Sequence, residues 1–489
     1  MNMMIKYTLL LICLCCCSDV IIAQQKKEKT IPPAALYPIP NDAQMAWHEM
    51  ETNAFIHFTT NTFTNLEWGF GNEPESIFNP SDLDADQWAQ VLHDAGFKMM
   101  ILTCKHHDGF CLWPSVYTTH SVKNSPYKNG AGDIVKEASD AAKKYGLKFG
   151  IYLSPWDRNH ADYGKEAYIT YYRNQLKELF ANYGNIAEMW MDGANGGDGF
   201  YGGTNETRKI NGATYYDWPG TIQMVKTMAP QVLFFSDAGP SLRWIGNENG
   251  SAGATNWNMI SPDTLYAGKG GIEGLLNTGT ENGTAWIPGE CDVSIRPGWF
   301  YHDTENERVK TAEQLFEIYL SSVGRGSTLL LNIPPDSRGQ FHENDVASLQ
   351  QFRKLLNKEF NTNLAKNAVA SANSYRGDAA VYAPSQINDN NKETYWATND
   401  SVTTASVQLQ LPHKEQIKYV VVQEYIRLGQ RVRFFTIEAW IDGKWQQVAA
   451  ATTIGYKRIL KLDPILTDKI KLTIQSSRAC PLLSNMELY

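Results

Sequence analysis

The sequence alternates short apolar runs with amphipathic helical segments, and this pattern constrains its fold more than any other feature. Residues 54–58 form an apolar run, residues 86–95 repeat apolar side chains at helical spacing before Gly96, and residues 98–102 form a second run. This order is typical of parallel strands joined by crossover helices. The chain is therefore predicted to have an α/β fold built from repeated βα units.

The alternation continues well beyond these segments. Further strands are predicted at 147–153, 186–191, 232–235 and 328–333, and helices at 132–145, 165–183, 222–228, 312–323 and 346–360. The regularity fades in the glycine-rich residues 246–283. About eight such units predict a (β/α)8-like TIM barrel with long loops. We expect this barrel to be a catalytic domain over residues 31–360.

The pattern changes near residue 363. From there the chain shows short runs of alternating polarity with turn signals between them, such as 419–423, 434–440 and 469–474. These features predict an all-β sandwich domain over residues 363–489. A chain of 489 residues is long enough to hold both domains.

The first 23 residues have the pattern of an export signal. Lys6 precedes an apolar run at 9–17, and Ala23 provides a small-residue cleavage point. The run is too short to span a bilayer permanently. We therefore expect an exported protein, periplasmic or extracellular. Leu14 and Cys17 loosely resemble a lipoprotein signal, so lipid anchoring through Cys17 is an alternative.

Charge and aromatic content bear on the partners of the chain. Its net charge is −8 at pH 7, which argues against nucleic acid or an anionic membrane surface as the main partner. Its 14 Trp and 24 Tyr residues suit the C–H faces of sugars, although large cores also use such side chains. A neutral ligand is therefore easier to accommodate than a polyanion.

Polar and aromatic residues follow successive predicted strands where each strand ends. In chain order they are His57, then His106, His107 and Asp108, then Tyr152 and Trp156, then Trp190 and Asp192, then Asp237. Barrel enzymes keep their catalytic side chains at the carboxyl ends of the strands. A histidine at a strand end is more often structural than functional, so the argument depends on their recurrence over several strands.

These residues lie in segments that together resemble the α-L-fucosidases of glycoside hydrolase family 29. The segments are Phe55-Ile56-His57-Phe58, Glu67-Trp68-Gly69, Lys105-His106-His107-Asp108-Gly109-Phe110, Gly150-Ile151-Tyr152 and Met189-Trp190-Met191-Asp192-Gly193. The resemblance covers about 300 residues. It implies retaining hydrolysis of terminal α-L-fucose, with Asp192 as the nucleophile that forms a covalent ester with the sugar.

Retention also requires a second carboxyl group, which serves first as acid and then as base. The candidates are Glu67, Glu248, Glu273, Glu281 and Glu290. Residues 243–248 resemble the acid/base segment of the subgroup that acts on α-1,3/4-linked fucose. Glu248 is therefore our choice for this role, and Glu290 is the alternative.

The resemblance further implies which side chains contact the sugar. They are His57, Glu67, Trp68, His106, His107 and Tyr152, to which strand alternation adds Trp190 on the same face as Asp192. Trp113 and Trp299 are weaker candidates, because core packing explains them nearly as well. Catalysis of this kind requires no cofactor, and the expected partner is a fucosylated oligosaccharide.

The C-terminal domain has its own resemblance. Residues 386–389 and 394–396 are similar to discoidin-like sandwiches of carbohydrate-binding modules. A structural calcium ion would be compatible with such a domain. The domain could equally serve only to support the barrel.

Two readings from other classes compete with hydrolysis by carboxylates. His57, His106, His107 and Asp192 could ligate zinc, but adjacent residues at a strand end point to opposite sides and no His-x-His spacing occurs. A non-catalytic fucose-binding protein would keep the aromatic pocket without a working carboxylate pair. A transglycosylase would be a smaller departure from the hydrolase.

Overall fold

The computed structural model describes residues 30–489, which include a barrel domain and a β-rich domain. The expected export signal, residues 1–23 with Cys17, lies outside the described residues. None of the helices in residues 30–489 combines the length and the apolar composition that a membrane span requires.

Eight parallel strands close into a barrel. In chain order they are β1 (Thr52–Ile56), β2 (Met99–Lys105), β3 (Lys148–Leu153), β4 (Ile186–Trp190), β5 (Leu233–Ser236), β6 (Leu242–Trp244), β7 (Gly289–Ser294) and β8 (Thr328–Asn332). Each strand pairs with its neighbours in sequence, and β8 pairs with β1 to close the ring. The predicted TIM barrel is confirmed.

The main helices of the barrel domain precede β1 or follow individual strands. They are α1 (Asp42–Met50), α2 (Ala85–Ala95), α3 (Ile134–Lys144), α4 (Glu166–Asn182), α5 (Trp218–Met228), α6 (Glu273–Thr278), α7 (Ala312–Ser321) and α8 (Glu343–Glu359). A four-residue helix, Asn61–Thr64, and two short ribbons, Gly197–Gly199 with Glu206–Arg208 and Met259–Ile260 with Ala285–Trp286, lie in loops.

The helices begin and end at residues that cap them. Asp84 accepts a hydrogen bond from the backbone N–H of Gln87 at the start of α2, and Gly96 ends that helix with φ +92°. Thr311 forms a capping box with Gln314 at the start of α7. Such caps satisfy backbone groups that have no partner within the helix. They explain why these boundaries are legible in the sequence.

The barrel is irregular between β5 and β6. Only residues 237–241 join these two parallel strands, and among the described residues no helix lies between them. The helix that follows β6, α6, has six residues. The expected sequence of complete βα units is therefore interrupted in the region where the amphipathic pattern fades.

The C-terminal domain is a seven-stranded antiparallel sheet assembly. Its strands are β9 (Val369–Ala372), β10 (Trp396–Ala397), β11 (Ala405–Glu424), β12 (Val432–Ile441), β13 (Lys444–Thr452), β14 (Arg458–Ser477) and β15 (Leu482–Leu488). The order is β10-β15-β11-β14-β12-β13, with β9 paired to β11. Strands β11 and β14 are longer than the predicted short runs, because register shifts let them continue through irregular positions.

The two domains share a seam rather than a flexible tether. The side-chain amide of Gln430 accepts a hydrogen bond from the backbone of Asn258 at 2.9 Å and donates one to the carbonyl of Asn256 at 2.9 Å. The rings of Phe360 and Tyr419 pack with centroids 5.1 Å apart. Residues 33–489 form one compact unit.

Candidate active site

Polar side chains gather at the carboxyl-terminal edge of the barrel, as the sequence predicts. His57 follows β1, His106 and His107 follow β2, and Asp192 comes two residues after the end of β4. Tyr152 lies on β3 and faces the same space. The closed ring of strands therefore brings together residues that are far apart in the chain.

His57 is held by a residue of the last strand. Its Nδ1 lies 2.8 Å from Oδ1 of Asn332, whose amide group donates to Oγ of Ser294 and to the carbonyl of Trp299. Since Oδ1 can only accept, Nδ1 of His57 carries the proton and Nε2 is left as an acceptor. Burial lowers the pKa of His57 to about 3, so the ring is neutral at ordinary pH.

His107 is oriented in the same way by a different residue. Oγ of Ser154 donates to the carbonyl of Trp156 and therefore accepts from Nδ1 of His107 at 2.7 Å. Nε2 of His107 then lies 3.9 Å from Oδ2 of Asp192. Burial lowers the pKa of His107 to about 4, although the charge of Asp192 acts in the opposite direction. His107 thus presents a neutral acceptor nitrogen to the site.

His106 completes the histidine group. Its ring stacks on Tyr152 with centroids 5.6 Å apart, and its Nδ1 is buried without a hydrogen-bond partner. Burial lowers its pKa well below the usual value. A buried polar atom without a hydrogen-bond partner is destabilising. A ligand rich in hydroxyl groups would supply the missing hydrogen bond to His106.

The carboxylate of Asp192 receives two donors. The hydroxyl of Tyr152 donates to Oδ2 at 3.0 Å, and the backbone N–H of Ala194 donates to Oδ1 at 2.6 Å. These bonds fix the carboxylate and stabilise its negative charge. About a quarter of the side chain is exposed, at 24%. Asp192 is therefore both held rigidly and accessible to a ligand.

Glu248 lies on the exposed loop after β6, near Asp192. Its Oε2 accepts a hydrogen bond from Nε1 of Trp299 at 3.3 Å. Partial burial raises the pKa of Glu248, and repulsion by Asp192 and Glu67 raises it further. The loop is anchored on both sides of Glu248, because Ile245 and Gly250 donate backbone hydrogen bonds to β7. A carboxyl group of this kind tends to keep its proton.

Glu67 fixes the loop that carries Trp299. Its carboxylate accepts from the backbone N–H groups of Trp299 at 2.9 Å and Phe300 at 3.3 Å. Its Oε1 also lies 2.6 Å from Nε2 of His302. The ring of Trp299 packs 5.2 Å from that of His57. Glu67 therefore affects the site partly by holding Trp299 against His57.

Two tryptophans provide apolar surfaces. Trp68 is 53% exposed and meets His107 edge-on at 5.2 Å, whereas Trp190 is 8% exposed and stacks on Phe235 at 4.0 Å. Trp113 lies elsewhere, buried in the core with its Nε1 donating to Glu178. Trp68 thus adds apolar surface beside His107, and Trp190 adds it beside Tyr152, whereas Trp113 is a core residue.

The other candidate glutamates are placed less favourably. Glu290 is fully buried inside the barrel, where it accepts from Nε1 of Trp190. Glu281 pairs with Arg433 of the C-terminal domain at 2.6 Å, and Glu273 accepts from the backbone of Gly271. These positions favour Glu248 over the alternatives.

Asp237 adds a further carboxyl group beside Asp192. It follows β5 and accepts from the backbone N–H of Gly268 at 2.6 Å. A side chain on Gly193 would collide with it, so the loop after β4 approaches closely only because Gly193 has no Cβ. Burial and the charge of Asp192 raise the pKa of Asp237 to about 6.

The arrangement of the candidate ligands does not support the hypothesis that His57, His106, His107 and Asp192 bind zinc. Within residues 30–489, no group of three or more His, Cys, Asp and Glu side chains is arranged to hold a metal ion. Nδ1 of His57 and Nδ1 of His107 are already hydrogen-bonded to Asn332 and Ser154.

Sequence reasoning missed Asn332 and Ser294. Both lie at strand ends, the pattern that revealed His57 and Asp192, but Ser294 ends β7, which the sequence did not reveal. The role of Asn332 depends on a contact with His57 across 275 positions of the chain. The strand-end rule applied to β8 could have found Asn332.

Comparisons with known proteins agree with this geometry. A family model described as alpha-L-fucosidase matches residues 35–361, and one described as F5/8 type C domain matches residues 367–488. Alpha-L-fucosidase 1 of Arabidopsis thaliana is 40% identical over 462 residues, which cover 94% of this chain and 88% of that protein.

Solved structures give the same result. A fucosidase of Ruminococcus gnavus in complex with fucose superposes with a TM-score of 0.85 at 34% identity, covering 94% of this chain and 96% of that one. A glycoside hydrolase 29 family member from an unknown rumen bacterium superposes with a TM-score of 0.84 at 44% identity, covering 94% of this chain and 78% of that one.

Proposed function

The chain belongs to the α-L-fucosidase family of glycoside hydrolases, and from this premise we propose that it acts by the retaining mechanism, with Asp192 as nucleophile and Glu248 as acid/base. The observation that carries the assignment is the pair itself. Asp192 is fixed by Tyr152 and Ala194, and it lies close enough to Glu248 for its charge to help raise the pKa of that carboxyl group. One group is suited to attack and the other to donate a proton.

The first step forms a covalent intermediate. An oxygen of Asp192 attacks the anomeric carbon, and the bond from that carbon to the leaving oxygen breaks. The bonding electrons pass to the leaving oxygen, which takes the proton of Glu248. The products of this step are a fucosyl ester of Asp192 and the free alcohol of the shortened glycan.

The second step releases fucose. Glu248, now ionised, removes a proton from water while the water oxygen attacks the anomeric carbon. The ester bond breaks and its electrons return to Asp192 as a carboxylate. Two inversions at one carbon give net retention. Enzymes of this family need no cofactor for these steps.

Sugar recognition would use the neutral acceptors described above. Nε2 of His57 and Nε2 of His107 accept from sugar hydroxyl groups, because their Nδ1 atoms are engaged elsewhere. His106, Tyr152 and Glu67 supply further polar contacts. Trp68, Trp190 and Trp299 supply apolar walls for the ring and its methyl group.

We also propose a preference for α-1,3/1,4-linked fucose. Support comes from the resemblance of residues 243–248 to the segment of that subgroup, which here forms the strand and loop leading to Glu248. In this proposal, the loop that carries Glu248 and the exposed ring of Trp68 form the leaving-group side of the site. A branched fucose would place its neighbouring sugars against these surfaces.

The organisation and location of the chain complete the proposal. We assign catalysis to residues 31–360 and an accessory, glycan-associated role to residues 363–489. The export pattern of residues 1–23 favours a periplasmic or extracellular site of action, where glycans are accessible.

The deciding experiment compares three substrates. The purified protein is incubated with a Lewis-type trisaccharide carrying α-1,3/4-linked fucose, with 2'-fucosyllactose and with an aryl α-L-fucoside. Free fucose is followed by chromatography and its first-formed anomer by NMR. Rapid release of the α-anomer, fastest from the Lewis sugar, supports the proposal. Initial β-anomer contradicts retention, and bound but uncleaved glycan favours the binding-protein reading.

A further inference from the structure

The amino-terminal half of the barrel interior contains two buried glutamates. Glu188 on β4 and Glu290 on β7 both have no exposed surface. Neither forms an ion pair with any residue of the described range, which is unusual for buried carboxyl groups. A cavity of about 910 Å3 opens at this end and is lined by Trp47 and Glu188 among others. The site around Asp192 lies at the opposite end.

Glu290 is connected to that site through one hydrogen bond. Nε1 of Trp190 donates to Oε2 of Glu290 at 3.2 Å. Trp190 precedes Asp192 by two residues, so both side chains point to the same face of the chain. The indole also stacks on Phe235 and packs 5.6 Å from Tyr152, the donor to Asp192. Its ring therefore forms the floor beneath the nucleophile.

The indole nitrogen is the one polar atom of this ring. Stacking on Phe235 fixes the plane of the ring but does not distinguish it from the orientation turned by about 180° about χ2, which exchanges the two edges of the indole. A hydrogen bond from Nε1 selects one of these two orientations. Glu290 thus determines which edge of the indole faces the sugar.

Glu188 makes this arrangement stable at neutral pH. Burial raises the pKa of Glu188 to about 8, and burial together with repulsion by Glu188 raises the pKa of Glu290 well above its usual value. The pair therefore retains protons, so that two charges are not forced into the barrel together. Trp47 borders both carboxyl groups.

The surroundings of the pair suit water. Asn53 on β1 and Thr328 on β8 are fully buried, and both have side-chain polar atoms without a hydrogen-bond partner. Strand alternation places Asn53 on the inward face with Phe55, and Thr328 neighbours Glu290 in register. These groups include donors and acceptors, which water can satisfy together and a bare cation cannot.

We propose that Glu290 is a positioning residue for the sugar pocket, which sets the orientation of the Trp190 indole and through it the floor under the bound fucose. This inference rests on the proposed function of the site at Asp192. Glu290 does not touch the sugar or the reacting atoms. Replacing Glu290 should therefore change KM for the substrate more than kcat.

The test uses three variants of the full chain and an aryl α-L-fucoside. Glu290→Leu removes the acceptor at similar volume and should raise KM by about tenfold, as expected for a buried N–H left without its partner, with a smaller change in kcat. Glu290→Gln keeps an oxygen for Nε1 and should restore KM. Thr328→Val alters the same layer without touching Trp190 and should leave KM unchanged. Near-UV circular dichroism checks that each variant is folded.

A double-mutant cycle makes the test independent of one variant. Trp190→Phe removes the N–H and should raise KM by itself. Glu290→Met, a second variant that lacks the carboxyl acceptor, should raise KM in the wild-type background but not in the Trp190→Phe background. This arm applies even where Glu290→Leu does not fold.

The outcomes separate the two proposals. A folded Glu290→Leu with wild-type KM, or an equal rise of KM in Thr328→Val, would overturn the positioning role. Absence of fucose release by the wild-type protein would instead overturn the proposed function. Calorimetric binding of L-fucose would then still show whether Glu290→Leu weakens the pocket.

Discussion

The hydroxyl of Tyr152 on β3 donates a 3.0 Å hydrogen bond to Oδ2 of Asp192 beyond the end of β4. Tyr152 lies on β3, and Asp192 follows the neighbouring strand β4 by two residues, so the pairing of these strands brings the two side chains together. Tyr152 is fully buried and carries His106 stacked on its ring. The nucleophile and part of the sugar site are thereby fixed to one rigid element.

Replacing Asp192 tests its role as nucleophile. Asp192→Ala should lower kcat by about four orders of magnitude or more, because no ester can form. Added azide can enter the space left by the carboxylate and attack the anomeric carbon. The β-fucosyl azide, detected by NMR with an aryl fucoside as substrate, would identify Asp192 as nucleophile. Azide would not form this product if Asp192→Ala lost activity only because the structure of the site had changed.

Replacing Glu248 separates substrates by their leaving groups. Glu248→Ala should reduce hydrolysis of natural glycans by about a hundredfold or more, and should slow the first step with activated aryl fucosides much less. Good leaving groups need little protonation. Glu273→Ala, on the exposed helix α6, is the matched control and should resemble wild type. The comparison is made on kcat/KM, which reports the first step. An equal loss of kcat/KM on both substrate types would contradict the assignment of Glu248.

The ionisation of Asp237 should be visible in the pH dependence of kcat/KM. The pKa of Asp237 is about 6, so its negative charge beside Asp192 develops as the pH rises through this value. That charge favours the positive character of the sugar in the transition state, and activity should rise with it. Asp237→Asn should remove the inflection near pH 6. The exposed Asp263 provides the control, Asp263→Asn, whose profile should keep it.

The buried glutamate pair should make stability depend on pH. Between the ordinary glutamate pKa of 4.5 and the folded value of about 8, Glu188 keeps a proton that the unfolded chain releases. The free energy of unfolding therefore falls as pH rises through this window, by at most about 1.4 kcal/mol per pH unit for this group. Denaturant unfolding at pH 5, 6.5 and 8 measures the slope. Glu188→Gln should reduce it, whereas Glu313→Gln on the surface of α7 should not.

The fold could be predicted wherever the barrel strands are apolar. Strands β1 to β5 and β8 and helices α2 to α5, α7 and α8 lie close to the predicted segments. Strand β7 was missed because Glu290, Asp292 and Ser294 alternate along its inward face, so it shows no apolar run. Strand β6 has three residues and no helix before it, which leaves too little pattern to detect.

The site was predictable where side chains follow a strand end directly. His57, His107 and Asp192 were found in this way. The orientation of the two histidines was not, because it depends on Asn332 and Ser154, whose residue types carry no distinctive signal. Periodicity reveals which element a residue belongs to, but not which partner it meets across the barrel.

The seam between the barrel and the sheet domain limits how the protein can be re-engineered. Gln430 forms hydrogen bonds with backbone groups of Asn256 and Asn258. The ring of Tyr419 packs on Phe360, the residue that follows helix α8. Removing the C-terminal domain would expose both the unpaired amides and the aromatic surface. The accessory domain therefore cannot be exchanged freely, because any replacement module would have to reproduce these contacts.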